Sequence, residues 1–304
     1  MLKRTLYIGN PAYLSVWNSQ LKVSFPDGAN QAQPLFKPIE DLGMIIIDNP
    51  QVTLTSSLMQ QLEENNTAVV ICNAKHLPSA LFLPMQSNTL YSERTSIQLK
   101  SSLPLRKQLW QQTVAAKIRN QAGMLIRHTD CETGCMLKWC KSVRSGDPDN
   151  LEARAAVYYW KEIFRKEYPE FFRDPDGSCP NNLLNYGYAI LRAIVARELV
   201  ATGLTPVQGI FHHNKYNAYC LADDIMEPYR PYVDDLVMKI LPGHKSSDEL
   251  SREDKALLLS LPQIDVKMEM RRNTLQNAVS LTCSSLWKCY NGESRTLEYP
   301  VFDP

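Results

Sequence analysis

Short apolar runs separated by turn residues fill the first ninety positions. TLYIG, then YLSVW and LKVSF on either side of Asn18-Ser19-Gln20, then GMIIID and AVVIC, are rich in β-branched and aromatic residues and are bounded by Pro, Gly, Asn and Asp. That is the pattern of strands. One stretch, Thr55 to Glu64, interrupts them with a helical spacing. From about Ser101 the apolar residues recur at three and four. KQLWQQTVAAKIRNQAGMLI, LEARAAVYYWKEIFRKEY, NNLLNYGYAILRAIVARELVATGL, a segment from Asp223 to Leu241, and VKMEMRRNTLQNAVSLTCSSLWKCY all follow this rule, and each predicts a helix. Asp149 or Asn150 is placed to cap the second of them, Asn181 to cap the third and Gly203 to stop it. The pattern predicts an α+β chain: a small β-sandwich-like domain over 1–90, a linker over 91–100, and a larger all-α domain over 101–304.

Length agrees, since 304 residues can form two cores of ordinary size. The chain is 44% hydrophobic and 21% charged, a globular composition. No apolar run approaches the roughly 18 residues of a membrane span, and the opening MLKRTLYIGNPAYLSV reaches a Gly-Asn-Pro turn before a signal-peptide core develops. A cytoplasmic protein is expected. Of the eight scattered cysteines, only Cys131, Cys135 and Cys140 gather near a histidine, His128, as a zinc site would require. Their irregular spacing and the absence of a paired CxxC favour free thiols in a reducing compartment.

Net charge, at +1, predicts no affinity for nucleic acid. Its distribution changes the picture. Residues 100–144 hold nine basic side chains against Asp130 and Glu132, a local excess suited to a phosphate backbone. Arg106, Lys107, Lys117 and Arg119 are the candidate contacts, although a solvated helix face would look the same.

Candidate chemistry lies in GIFHHNKYNAYCLADDIMEPYR, residues 209–230. In a helix beginning near Asp223, Asp224 and Glu227 lie three apart and Asp223 and Glu227 four apart, so two carboxylates project from nearly one face. Such a pair can share a divalent cation; acidic residues in a first turn also simply complement the helix dipole. His212 ends a short apolar stretch where the chain turns between elements. Imidazole beside carboxylates is a ligand set suited to manganese or magnesium, and on spacing alone adjacent His213 serves equally well. A further anchor is available in GDPDNLEARAA, where Glu152 stands just inside a helix and small neighbours would admit a second helix closely. Spacing does not say whether Glu152 meets either histidine.

Three separated elements, GDPDNLEARAA, NNLLNYGYAILRAIVARELVATGLTPVQGIFHHNK and LADDIMEPYRPYVD, together resemble the CRISPR-associated integrase of spacer acquisition, the first and most universal Cas protein, in the branch that accompanies type II systems. The resemblance runs from KRTLYIGNPAYLS through the helical region. It implies a metal held by Glu152 of LEAR, His212 of GIFH in preference to His213, and Glu227 of DDIMEP, with Asp224 a secondary ligand and Asp223 unassigned. Tyr186 and Gly187, in LNYGY, match a motif on the helix beside the site, and Asn185, Tyr186 and Tyr188 are expected to be structural or to support the site from behind. The resemblance further implies Mg²⁺ or Mn²⁺ as cofactor and a homodimer formed largely through the β domain. The small second Cas protein and possibly the type II effector nuclease are its implied partners. Its implied substrates are double-stranded DNA with 3′-hydroxyl ends and the CRISPR repeat, joined by transesterification. From the residues alone, two other readings stand: a different metal-dependent phosphohydrolase on a helical scaffold, or a non-catalytic DNA-binding scaffold in which the acidic cluster caps a helix.

Overall fold

A computed structural model describes residues 3–26, 33–74, 76–84, 88–243, 250–269 and 271–304. The N-terminal part holds strands β1 (Arg4–Ile8), β2 (Ala12–Trp17), β3 (Gln20–Ser24), β4 (Leu35–Pro38), β5 (Leu42–Ile47) and β6 (Val52–Leu54), then helix α1 (Ser56–Glu64) and strands β7 (Ala68–Cys72) and β8 (Pro78–Phe82). They form two four-stranded sheets, ordered β1-β5-β7-β8 and β4-β3-β2-β6. In the first, β5 runs parallel to both β1 and β7, and β8 is antiparallel to β7. The unbroken apolar run of β5 is explained by burial on both faces. Ile45 and Ile47 meet Leu14, Leu21 and Val23 of the second sheet and Leu58 of α1, while Met44 and Ile46 join the helical core. Between β2 and β3 the chain turns at Asn18 and Ser19, both with positive φ, as a two-residue hairpin of matching twist demands. The stretch that broke the strand pattern is α1, and Thr55 caps it by accepting from Leu58 N.

Helices α2 (Tyr91–Leu99), α3 (Leu103–His128), α4 (Gly134–Ser142), α5 (Leu151–Ile163), α6 (Asn181–Ala201), α7 (Cys220–Met226), α8 (Arg230–Ile240) and α9 (Arg252–Leu259) follow. Strands β9 (Asp265–Met268) and β10 (Arg271–Thr274) and helix α10 (Leu275–Tyr290) complete the chain. The central element is α6, buried on almost every side and packed against α7, α8, α9 and α10. Gly203 ends it as expected, with Leu204 N donating back to Leu199 O at 2.9 Å. No helix among the described residues is long and apolar enough to cross a membrane.

Five details depart from the pattern-based reading. The expected linker at 91–100 is helix α2, fastened to the end of α6: the buried Gln98 side chain donates to Thr205 O and accepts from Thr205 N, and Arg94 donates to Thr202 O. The helix expected from Val266 begins only at Leu275, because Val266 and Met268 are buried while Asp265 and Lys267 are exposed, a period of two that makes a β9–β10 hairpin within the otherwise helical part. Pro228 interrupts the segment after Asp223, so Glu227-Pro228-Tyr229 forms a 3-10 turn between α7 and α8. Neither Asp149 nor Asn150 caps α5; Asp147 does, and Asp149 pairs with Arg144. Asn181 likewise turns away from its own helix and binds Phe172 O and Asp174 N.

Beyond α10 the chain returns across α3. Gln112 accepts from Leu297 N, and the buried Asn120 both accepts from Phe302 N and donates to Pro300 O. The same Asn120 amide donates to Pro228 O at 2.7 Å, tying this last segment to the turn that carries Glu227.

Candidate metal centre

Asp147 shapes the start of α5. Its two oxygens accept from Leu151 N at 3.0 Å and Glu152 N at 2.9 Å, so Glu152 leaves the helix in its first turn with its backbone fixed. Glu227 is held from the other side. Its Oε1 accepts from Arg230 at 3.0 Å, and the Arg230 guanidinium lies 4.8 Å from the centre of the Tyr188 ring. Tyr188 in turn donates to Asp234 at 2.5 Å, as does Tyr159 at 2.6 Å.

Glu152 and Glu227, far apart in sequence, come together on one cation, Lys117 of α3. The Lys117 ammonium contacts Glu152 Oε1 and lies 2.6 Å from Glu227 Oε2. Lys117 is 7% exposed. Burial alone would lower its pKa, but the charges of Glu227 and Glu152 prevail and raise it. Burial likewise pushes the Glu227 carboxyl up, and the Arg230 and Lys117 charges outweigh this and hold it below the usual carboxylate range. Lys117 and Glu227 are therefore both charged at neutral pH.

His212 comes from the loop before α7. Its Nδ1 lies 2.5 Å from Asp224 Oδ1, and Asp224 Oδ2 accepts from Phe211 N at 2.9 Å. The hydrogen bond with fully buried Asp224 raises the imidazole pKa against the opposing effect of burial, and the charges of Asp224, Glu227 and Glu152 raise it further. With Nδ1 committed to a carboxylate, Nε2 is the nitrogen left for a metal, the usual orientation of a liganding histidine. Phe211 stacks on Trp110 at 4.5 Å and the His212 ring stands edge-on to the same indole at 5.4 Å. The turn depends on Gly209: a Cβ there would lie 2.3 Å from His212 O and 2.8 Å from Asp224 Oδ2.

The remaining candidates fall elsewhere. Asp224, the expected secondary ligand, has its oxygens on His212 and Phe211 N, where it orients His212. Asp223 pairs with Arg192 and Asn217, and His213 is exposed. Asn185 binds Arg173 and Pro175 O. Tyr186 is buried and faces away from the cluster, with burial and the nearby Cys72, Tyr7 and Asp48 of the sheet side raising its pKa, so the place of both residues is structural, the first of the two expected roles. In LNYGY support from behind comes from Tyr188, the third of the expected residues, through Arg230, and Gly187 of the matched motif lets Val233 of α8 approach. Of the four candidate phosphate contacts, Lys107 is exposed, Arg106 and Arg119 are half-buried, and Lys117 turns inward because two carboxylates neutralise it there. His128 bonds Asp235, away from the neighbouring thiols. Among the described residues no three His, Cys, Asp or Glu side chains group closely enough to hold a metal; the two glutamates meet on Lys117 instead.

Sequence and fold comparisons bear on this arrangement. The family model for CRISPR associated protein Cas1 matches residues 6–263. The CRISPR-associated endonuclease Cas1 of Neisseria meningitidis serogroup C (strain 8013) is 33% identical over 286 residues, covering 94% of this chain and 91% of that protein. Among solved structures, a casposase bound to integration product superposes with a TM-score of 0.79 at 20% identity, covering 100% of this chain and 94% of that one. A chain of a Cas6-RT-Cas1–Cas2 complex does so at 0.74 and 20% identity, over 97% of this chain and 36% of that one. The match over most of its length, together with the full-length relative, places this chain in the CRISPR-associated Cas1 family.

Proposed function

We propose that this protein is a metal-dependent DNA integrase and endonuclease of CRISPR adaptation that joins the 3′-hydroxyl ends of short DNA fragments to the repeat array by transesterification. The observation that carries this reading is the meeting of Glu152 and Glu227 on a single ammonium, beside a histidine whose Nδ1 is held by a buried carboxylate. Two carboxylates and one imidazole are the donor set of Mg²⁺ or Mn²⁺, and the ammonium between them marks a place where positive charge is stabilised. Glu152, Glu227 and His212 Nε2 would hold the ion. When bound, it supplies Lewis acidity, neutralising charge that develops on the phosphoryl oxygens and lowering the pKa of the attacking hydroxyl.

The chain's own side chains do the rest. Asp224 keeps His212 in one tautomer and one orientation. Arg230, stacked on Tyr188, holds Glu227 ionised and fixes its angle. Trp110 and Phe211 wall the histidine with apolar surface, and no protein nucleophile is required for direct attack by a DNA hydroxyl.

Likeness to a DNA-bound casposase and to a chain of a Cas1–Cas2 assembly supports double-stranded DNA as substrate and the small second Cas protein as partner. Residues 1–90 would form the homodimer through the outer face of the second sheet, where Tyr13, Trp17 and Phe36 are exposed, and 101–304 would carry the chemistry. The test is integration into a supercoiled, repeat-bearing plasmid in Mg²⁺ and Mn²⁺, with and without the small partner. Glu152→Ala, His212→Ala and Glu227→Ala are each expected to abolish strand transfer while the chain stays folded. Normal integration by Glu152→Ala would overturn the assignment.

A further inference from the structure

We propose that Lys117 is the internal counter-ion of this centre: it holds Glu152 and Glu227 together in the absence of a divalent ion and withdraws when one binds. The inference rests on the metal reading above and extends it to a residue outside the ligand set.

Three observations lead to it. Lys117 is buried, and its ammonium touches both glutamates. Without it, two carboxylates would face each other at close range with no cation between them, and like charges repel. Second, the cluster is already balanced. Glu152 and Glu227 are met by Lys117 and Arg230, so an added divalent ion leaves an excess of positive charge beside them unless a cation departs. Third, of the two cations on Glu227, Arg230 is the fixed one. It is half-buried, bonded to Oε1 and laid over the Tyr188 ring. Lys117 is a point charge on a flexible four-carbon stem, and it lies between the oxygens that a shared ion would bridge. Lys117 and the metal therefore compete for one place.

Two measurements test this, neither of them an activity. The first is amine labelling of the wild-type protein, read by mass spectrometry with and without saturating Mn²⁺. Lys117 is expected to be protected without metal and labelled several-fold faster with it, while exposed Lys107 on the same helix keeps a constant rate. The second is a Mn²⁺ titration of Lys117→Met, which preserves the apolar stem. Its apparent Kd is expected to fall roughly tenfold, the scale of removing one close like charge, and its metal-free Tm to drop. Lys117→Arg, which cannot deprotonate, is expected to bind Mn²⁺ no more tightly than wild type.

If Lys117 labels equally slowly in both conditions while the wild type binds Mn²⁺, the counter-ion role is wrong and the metal reading stands. Equal or weaker Mn²⁺ binding by folded Lys117→Met has the same meaning. If the wild type binds no Mn²⁺, the metal reading fails and takes the inference with it. Should Lys117→Met not fold, the labelling experiment on the wild type decides alone.

Discussion

At the scale of single residues, the histidine side of the site is built by close approach. Gly209 brings the backbone of the His212 turn against Asp224 with no room for a methyl group, and one of the atoms it would strike is a main-chain oxygen, which cannot rotate aside. Gly209→Ala is therefore expected to lower stability by about 1–3 kcal/mol, as overpacking does, and to weaken the Mn²⁺-dependent thermal shift by moving His212. An unchanged melting curve would show that the turn relaxes more easily than its contacts suggest. Spacing left His212 and His213 equal and the family resemblance chose His212 with Glu152 and Glu227, but spacing could not bring them together, because proximity across distant segments leaves no periodic trace. It misread Lys117 for a physical reason. A lysine in a basic stretch is normally solvated, and what turns this one inward is a pair of carboxylates contributed by other elements. Arg230 was equally silent, since its role exists only through Glu227 and Tyr188; Tyr188 itself was among the residues expected to be structural or to support the site.

Elements were far more legible, because strand and helix periods survive in the sequence wherever one face is buried. β5 and α6 show it from opposite sides, the first as a short run buried on both faces and the second as a long helix buried all round. The β9–β10 hairpin was hidden because its two-residue period spans few positions and continues into the apolar repeat of α10. Packing between elements also has a sequence trace in Gly187, where α6 meets α8. A Cβ at Gly187 would lie 2.4 Å from Val233 Cγ1, and a β-branched valine has little rotamer freedom to yield. Gly187→Ala is expected to cost about 1–3 kcal/mol. Since Val233 begins the turn that carries Asp234, Val233→Ala in the same chain should recover part of the loss. Strict additivity of the two changes in urea denaturation would place the strain elsewhere.

Across the whole molecule, charge links the site-bearing helices to acid stability. Burial pushes Asp235 of α8 up, but hydrogen bonds from His128 and Lys239 and the charges of Lys239 and Arg127 outweigh it and hold the carboxyl well below the usual range. A carboxyl lowered in the folded state contributes stability above its unfolded pKa, roughly 4, and that contribution is lost as the pH falls toward the folded value. Asp235→Asn should therefore lower Tm at pH 7 and flatten its decline between about pH 5 and pH 2; parallel curves for wild type and variant would remove Asp235 from the account. Asn120 joins two otherwise separate regions in a similar way, since one carboxamide serves both the 3-10 turn of Glu227 and the segment from Pro300 to Phe302. Truncations or fusions at that end of the polypeptide are thus not neutral handles for purification: loosening the final residues would free one partner of the amide that steadies a glutamate of the ion cluster.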